Sequence, residues 1–496
     1  METKSEIHFD LPKGWKWVTL GEISKIKGGK RLPKGHRYSE SNKKYPYIRV
    51  KDFKNMTIDL TDIRFIEEET YEKIKSYTIT SKDLYISIAG TIGKVGLTPK
   101  SLDGANLTEN AAKITEIQNF DNKLLCYFLS SPFAQEQISN FIISTNQPKL
   151  ALFRIKKIIL PLPPLSYQNL LLFKLEELFT QLEAGVTSLK QTQEHLQTYR
   201  QALLKAAFEG KLTEKWRELN LKKLIKDDFN KLNTENKSQL FSVKSNKNLD
   251  MLNQTLEWSI LQISDITEEI EKVKPTENPN GYFTYIDISS IDKYKIVKPK
   301  RLLGKNAPSR ARQLIRTGDV LFSTVRTYLR NITLVEEINN NQIASTGFCV
   351  LRPNKEIIIS RFLFYYTLTN FFVNSLSRIQ RGSSYPAVRY IDVLNQYIPI
   401  PSKIEQEKII EEIEWRLSII EKAEINIDSD LLKTKVLKQC ILKKAFEGSL
   451  IPQLSDKESI ENFLTKKSEK EIQIENNNTN KIAKTKIKQA RLTDFE

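Results

Sequence analysis

The chain is short of the residues that metal and redox chemistry require. Its three cysteines (Cys126, Cys349, Cys440) sit among apolar neighbours with no paired spacing, and its three histidines (His8, His36, His195) are scattered singly. That distribution excludes a disulfide framework and a Cys/His zinc site, and it fits a reducing compartment. No G-x-x-x-x-G-K-[ST] is present. GTIGKVG over 90–96 has the wrong glycine spacing and lacks a hydroxyl residue after the lysine, so no phosphate-cradling loop is expected. The longest apolar stretch, FLFYYTLTNFF over 362–372, is too short to span a bilayer, and METKSEIHFD has no apolar leader run. A soluble, cytoplasmic protein is expected.

Positive charge, by contrast, is in excess. Lysine and arginine number 77 against 60 acidic residues, a net charge of +17 with a pI near 9.4. Such a surface favours a polyanionic partner, nucleic acid before membrane. A chain of 496 residues also exceeds what one hydrophobic core supports, so two or more domains are expected.

Those domains are copies of each other. KAAFEGKL at 205–212 and KKAFEGSL at 443–450 agree at six of eight positions, with an offset of 238 (Gly210 to Gly448). The same offset places Pro161 on Pro399, Pro163 on Pro401 and Gln168 on Gln406, and it pairs Leu175 with Ile413, Phe179 with Leu417 and Leu182 with Ile420. Chance does not align two prolines, a glutamine and a helical stripe at one offset, so the chain is an internal duplication. Further upstream, DLYISIAGTIGKVG (83–96) overlays DVLFSTVRTYLRNI (319–332) at an offset of 236. Asp83/Asp319, Ser87/Ser323 and Thr91/Thr327 are identical there, while Gly90 and Lys94 face Arg326 and Arg330. Trp17 and Trp258 open the two copies. The fronts have diverged and the backs have not, which means two fronts with different versions of one task on a shared scaffold.

Each front reads as an α+β domain. YISIAG, KYPYIRV, VLFSTV and YFTYIDI are rich in β-branched and aromatic residues, and the stretches 122–142 and 361–380 carry helical apolar spacing. The prolines of ILPLPP and YIPIPS are expected to end each front, since proline cannot extend a central strand. A heptad seam follows: Leu175, Phe179, Leu182, Val186, Leu189, Leu196 and Leu203, with Gln193 and Arg200 at two core positions. The second seam runs Ile413, Leu417, Ile420, Ile427, Leu431 and Ile441, interrupted by Glu424, Thr434 and Lys438. The economical partner for each seam is the other, as an intramolecular antiparallel coiled coil of helices about 60 Å long. Gly210 and Gly448 stop the helices. The expected organisation is a first domain over 1–163, a helix over 164–212, a polar linker over 213–253, a second domain over 254–401, a second helix over 402–450 and a disordered tail over 451–496.

A front opening on W-x-x-L-G-E-I, a P-L-P-P-L-x-x-Q step, a long helix and then LLKAAFEGKLTEKW resembles the specificity subunit of type I restriction–modification systems. IPIPSKIEQEKII and ILKKAFEGSLIPQ resemble its distal conserved region, so the likeness covers residues 12–453. One departure is SYQ in the first copy, where the family has an acidic residue before Gln, as in IEQ of the second. The resemblance implies two target recognition domains, each reading half of a bipartite, asymmetric DNA site. It also implies a coiled coil that docks two modification (adenine methyltransferase) subunits, with restriction (motor and nuclease) subunits joining them. S-adenosylmethionine, ATP and Mg would then belong to those partners, and this chain would be non-catalytic and bind no cofactor.

Side chains suited to DNA cluster in matching places. The first front offers Lys30, Arg31 and Lys34 in GGKRLPKGHR, then Arg49 and Lys51, the turn bearing Ser87, Thr91 and Lys94, and Thr145, Asn146, Gln147 and Lys149 in STNQPK. The second offers Arg310 and Arg312, the turn bearing Ser323, Arg326, Thr327 and Arg330, and Arg381, Ser383, Ser384, Tyr385 and Arg389 in RGSSYPAVR. Arg326 and Arg330, four apart, are expected to share a face. Phe208, Glu209, Gly210, Phe446, Glu447 and Gly448 are expected to pack the helices and dock the modification subunits. Two other classes stay open on the residues alone: a bifunctional methyltransferase or nuclease, and a protein-binding coiled-coil scaffold. The first would need motifs that are missing, since NPNGYF (278–283) lacks the second proline of the N-P-P-[FYW] methyltransferase step.

Overall fold

A computed structural model describes residues 9–41, 43–142, 148–224, 258–336 and 342–452. The tail beyond 452 and most of the expected linker lie outside the described residues. The chain divides into two units, one formed by Met1–Ser188 with Asp430–Glu496 and the other by Leu189–Ser429.

In the first unit, an antiparallel sheet runs in the order Val95–Leu97, Leu84–Ser87, Ala111–Thr115 and Lys25–Gly28. Side chains alternate faces along a strand. Leu84 and Ile86 therefore meet Leu124, Leu125 and Phe128 of the covering helix Asn122–Leu129, while Tyr85 turns the other way. There Tyr85 stacks on Phe53, in a second core with Ile48 and Leu107. The second unit repeats the plan. Val320 and Phe322 of Val320–Ser323 face Phe362 and Phe372 under the helices Ser360–Thr367 and Asn370–Arg378, and Leu321 faces Phe348 and Val350. Each stretch with helical spacing forms two short helices rather than one. The break falls at Ser131-Pro132 and at Thr369, where a hydroxyl accepts the N–H of the third helical residue.

One proline of each step lies inside the last strand of its front, and Pro163 and Pro401 stand just beyond it. Pro161 lies within the strand Ile159–Leu162, opposite Trp17 on Lys16–Thr19, and Pro399 lies within Tyr397–Ile400, opposite Ile260 on Ser259–Gln262. Each pair is a two-stranded ribbon, and an edge strand does not miss the N–H that proline lacks. The first strand of each copy is thereby tied to its last. The register also corrects the tryptophan match: Trp258 corresponds to Trp15, since Trp17 takes the place of Ile260.

The matched glutamines explain themselves. Gln168 accepts the N–H of Asp121 at 2.8 Å and donates to the carbonyls of Asn119 and Pro163, both at 2.9 Å. Gln406 accepts from Ile359 at 2.9 Å and donates to Ile357 and Pro401 at 3.1 and 3.0 Å. All three partners of each amide are related by the same offset. A buried side-chain amide uses both ends to join the domain's helix layer to the first turn of its long helix, and only asparagine, one carbon shorter, shares that donor–acceptor set.

The long helices span Leu165–Phe208 and Lys403–Phe446. Between 181 and 200, only Leu182, Val186, Leu189, Gln193, Leu196 and Arg200 are shielded, which is the expected seam. The segments pair antiparallel within each unit. In the second, Gln197 and Arg200 donate to Glu424 at 2.7 and 3.3 Å, and Gln193 donates to Asp428 at 3.4 Å. Two polar interruptions of the seams, Arg200 and Glu424, thus satisfy one another. In the first unit, the Tyr167 hydroxyl donates to the Ile451 carbonyl at 3.0 Å, and the Lys438 ammonium lies 4.9 Å from the Phe179 ring centre.

Candidate nucleic-acid interface

The two divergent fronts build one kind of loop platform. In the first unit, the turn after Leu84–Ser87 is joined to the segment before Leu150: Leu150 donates its N–H to Ile88 at 2.9 Å, and Ala89 bridges Lys149. In the second unit, Val388 donates to Thr324 at 2.9 Å, and Val325 bridges Ala387. The structure therefore brings Thr91 and Lys94 beside Lys149, and Arg326 beside Arg381, Ser383, Ser384 and Tyr385. Apart from the half-buried Arg326, these side chains are exposed. Thr145, Asn146 and Gln147 fall outside the described residues.

Lys30, Arg31 and Lys34 are exposed near the first platform. Gly29 and Lys30 donate backbone N–H groups to Ala111 and Leu107, and Ile88 donates to Asn110, so both loops border one turn. The Arg31 Nε pairs with Glu109 at 2.9 Å, and the Lys30 ammonium lies 5.5 Å from the Tyr77 ring centre. In the second unit, Arg310 is exposed and accepts the Thr346 N–H on its carbonyl at 2.9 Å, beside the Gly347 carbonyl that receives Thr324 N–H. Arg312 is half-buried and donates to the Ser309 carbonyl at 2.9 Å.

Several expected contacts are engaged internally instead. Ser87 is buried; its hydroxyl donates to the Thr91 carbonyl at 2.6 Å and accepts the Lys94 N–H at 2.8 Å. Ser323 is buried and donates to the Val325 carbonyl at 2.9 Å. Thr327 is buried against Ser377 and Gln380, each at 2.8 Å. These hydroxyls shape the turns from below and present nothing outward. Arg49, with 14% of its side chain exposed, forks onto Asp52 at 3.0 and 2.8 Å, so it braces its own loop. Lys51 is exposed and bonded to Asp62 at 2.6 Å. Arg389 forks onto Asp392 at 3.2 and 2.8 Å, and that pairing holds the Asp392 carboxyl down at about 2. Arg326 and Arg330 do not share a face, because a single 3₁₀ turn, Thr327–Leu329, stands between them. Arg330 turns to the Leu368 carbonyl at 2.5 Å and to Asn370, and its burial lowers its affinity for a proton.

The repeated phrase is a core anchor with a helix stop. Phe446 meets Phe128 edge-on at 5.1 Å, and Phe208 meets Phe362 and Tyr366, each at 5.0 Å. Gly210 and Gly448 have φ of 72° and 73°, and the residue after each donates to a carbonyl five residues back. Glu209 pairs with Lys211 at 2.8 Å and Glu447 with Lys443 at 3.8 Å. Phe208 and Phe446 thus face inward and are not available to another chain. Burial also pushes the Cys126 thiol up to about 12 and raises that of Cys349, which leaves both inert. Among the described residues, no group of three His, Cys, Asp or Glu side chains is placed to hold a metal ion, and no helix is long and apolar enough to cross a membrane.

Residues 12–191 and 255–427 each match the family model described as the type I restriction modification DNA specificity domain. The chain belongs to that family. It is similar to the specificity subunit of the type I restriction enzyme EcoDI of Escherichia coli, 24% identical over 449 residues that cover 89% of this chain and 90% of that protein. It is also 24% identical to the Escherichia coli EcoBI specificity subunit, over 88% of this chain and 87% of that one. A solved chain, from a study of complex assembly and conformational transition of the type I R-M system, superposes with a TM-score of 0.61 at 18% identity. It covers 89% of this chain and 100% of its own length, which shows the same tandem α+β fold. The two matched segments each contain one platform, so the specificity family's repeated domain and the loop geometry coincide.

Proposed function

We propose that this specificity-family chain is the non-catalytic, DNA-reading subunit of a cytoplasmic type I restriction–modification complex. Each front reads one half of a bipartite, asymmetric site, and the long helices dock two modification subunits, to which restriction subunits are added. One observation carries the reading: two matched specificity domains, each with a basic loop platform at the same place on its sheet. Unlike side chains on like platforms make the two half-sites unlike. The expected docking residues now change. Since the AFEG phenylalanines are buried, the exposed helix faces are the better surface. The second helix leaves Trp415, Ile419 and Ile425 exposed in one unit and Leu432 and Val436 in the other. At the matched offset, the first helix has Glu177, Gln181, Thr187, Glu194 and Thr198.

Titrating the full chain with random-sequence duplex tests the DNA half of this reading. Counterion release by six to ten phosphate contacts predicts an affinity falling by about a thousandfold or more between 50 and 200 mM salt. Weak binding with a flat salt dependence would favour a protein scaffold instead. Methyl transfer by the chain alone would favour the bifunctional enzyme.

A further inference from the structure

The two platforms solve the same backbone problem with different residues. The turn that follows the matched strand passes twice through the left-handed region. In the first copy those positions are Gly90 (φ +72°) and Gly93 (φ +86°); in the second they are Arg326 (φ +49°), which matches Gly90, and Arg330 (φ +53°), one residue past the match of Gly93. Glycine adopts that conformation freely, whereas an arginine costs on the order of 1–2 kcal/mol there. A side chain kept at a strained position, where the sister copy shows that glycine suffices, points to a use for the side chain. Arg330 has a structural use, closing the end of the helix Ser360–Thr367 through the Leu368 carbonyl. Arg326 closes no helix, and its side chain is bonded to the neighbouring exposed loop.

Arg326 instead is held in the platform itself. Its backbone N–H donates to the Pro386 carbonyl at 2.7 Å, its guanidinium carbon lies 4.9 Å from the Tyr385 ring centre, and one η nitrogen donates to the Ser384 carbonyl at 3.0 Å. Its Nε is shielded from solvent and has no hydrogen-bond partner among the described residues. Tyr385 is 72% exposed. A guanidinium packed on an aromatic ring keeps its donor fork rigid, which suits planar, two-point recognition. Two adjacent acceptors on one base edge are offered by guanine O6 and N7 in the major groove.

We infer that Arg326, seated on Tyr385, is the guanine-reading residue of the second recognition domain, an assignment that rests on the DNA-reading function proposed above. Gly90 at the matched position gives the first domain no counterpart, so the two halves of the site differ in kind at this point. Removal of the Ser384 contact when DNA is bound frees that η nitrogen to join the other at the base edge.

The test uses the full chain with its modification subunits and duplexes of the mapped site, each position of both half-sites substituted singly. Arg326→Gly installs the residue the sister copy already uses, so thermal unfolding should be unchanged or slightly later. Discrimination at one G·C pair of one half-site should fall by about tenfold to a hundredfold, with discrimination at the other half-site unchanged and random-duplex affinity lowered by much less than that. Arg326→Lys, which keeps the charge but loses the fork, should lose the same discrimination. The inference is overturned if either variant keeps full discrimination, or if affinity drops equally for every duplex, as for a phosphate contact. If the wild-type complex itself prefers no mapped site over random duplex, the underlying DNA-reading function fails, and this assignment with it.

Discussion

Arg217→Ala should lower the stability of the second unit by about 3–5 kcal/mol, the usual cost of stranding one member of a buried ion pair. Arg217 lies in the helix Glu214–Leu224 and bonds the carboxylate of Glu405 at 2.9 and 2.8 Å; the latter residue is 2% exposed. Thr213 donates to the same carboxylate at 2.7 Å and the Trp258 indole at 3.1 Å, and Arg217 also lies 5.5 Å from the Trp258 ring centre. Without the guanidinium, the carboxylate keeps two neutral donors and no counter-charge. For a unit of this size the unfolding midpoint should fall by roughly 10 °C.

The first copy supplies the control. At the offset of 238, Glu405 corresponds to Tyr167 and Thr213 to Ile451, and Trp15 stands where Trp258 does. There the tyrosine hydroxyl takes a backbone carbonyl, and no ion pair is needed. Arg217→Ala combined with Glu405→Tyr should therefore recover at least half of the lost midpoint. A single variant that melts within about 2 °C of the wild type would show that the pair is not what holds this corner together.

Removing one heptad from each long helix, at positions that face each other, should shorten the gap in the recognised DNA by about three base pairs, because seven helical residues rise about 10 Å. The half-site sequences should not change. Each helix runs without a break from residues of one unit into residues of the other, and its seam repeats every seven residues, so a heptad can be removed while the Arg200–Glu424 pairing is kept. Deleting three residues instead would rotate the seam out of register and should abolish stable assembly. Altered half-sites with an unchanged gap would mean that the helices do not measure the spacing.

Much of this was legible in the sequence because the chain carries its own comparison. Gln168 and Gln406, the prolines and the AFEG phrase repeat at one offset, since each meets a geometric demand that both copies share. The seam was legible down to its polar interruptions, although nothing in a linear reading showed that Arg200 and Glu424 answer each other. The interior of the fronts was harder. Ser87 and Ser323 look like surface hydroxyls by type, but turn hydrogen bonding buries them, and the identity that marked them reflects structure rather than DNA. Pro161 and Pro399 fall inside strands because the rule against proline holds for central strands, and both lie in two-stranded ribbons. The Arg217–Glu405 pair was hidden because Arg217 lies in a segment that reads as polar linker. Its one outward sign is the change from SYQ to IEQ. The Arg326–Tyr385 platform needs two segments some sixty residues apart to be adjacent, and periodicity carries no trace of that.

The most direct test of the central claim is a base-resolution map of DNA methylation in cells with and without this gene. A motif of two unlike halves separated by a fixed gap is expected, methylated only when the gene is present. A methylation pattern that is unchanged by deleting the gene, or one that follows a continuous, ungapped motif, would contradict it.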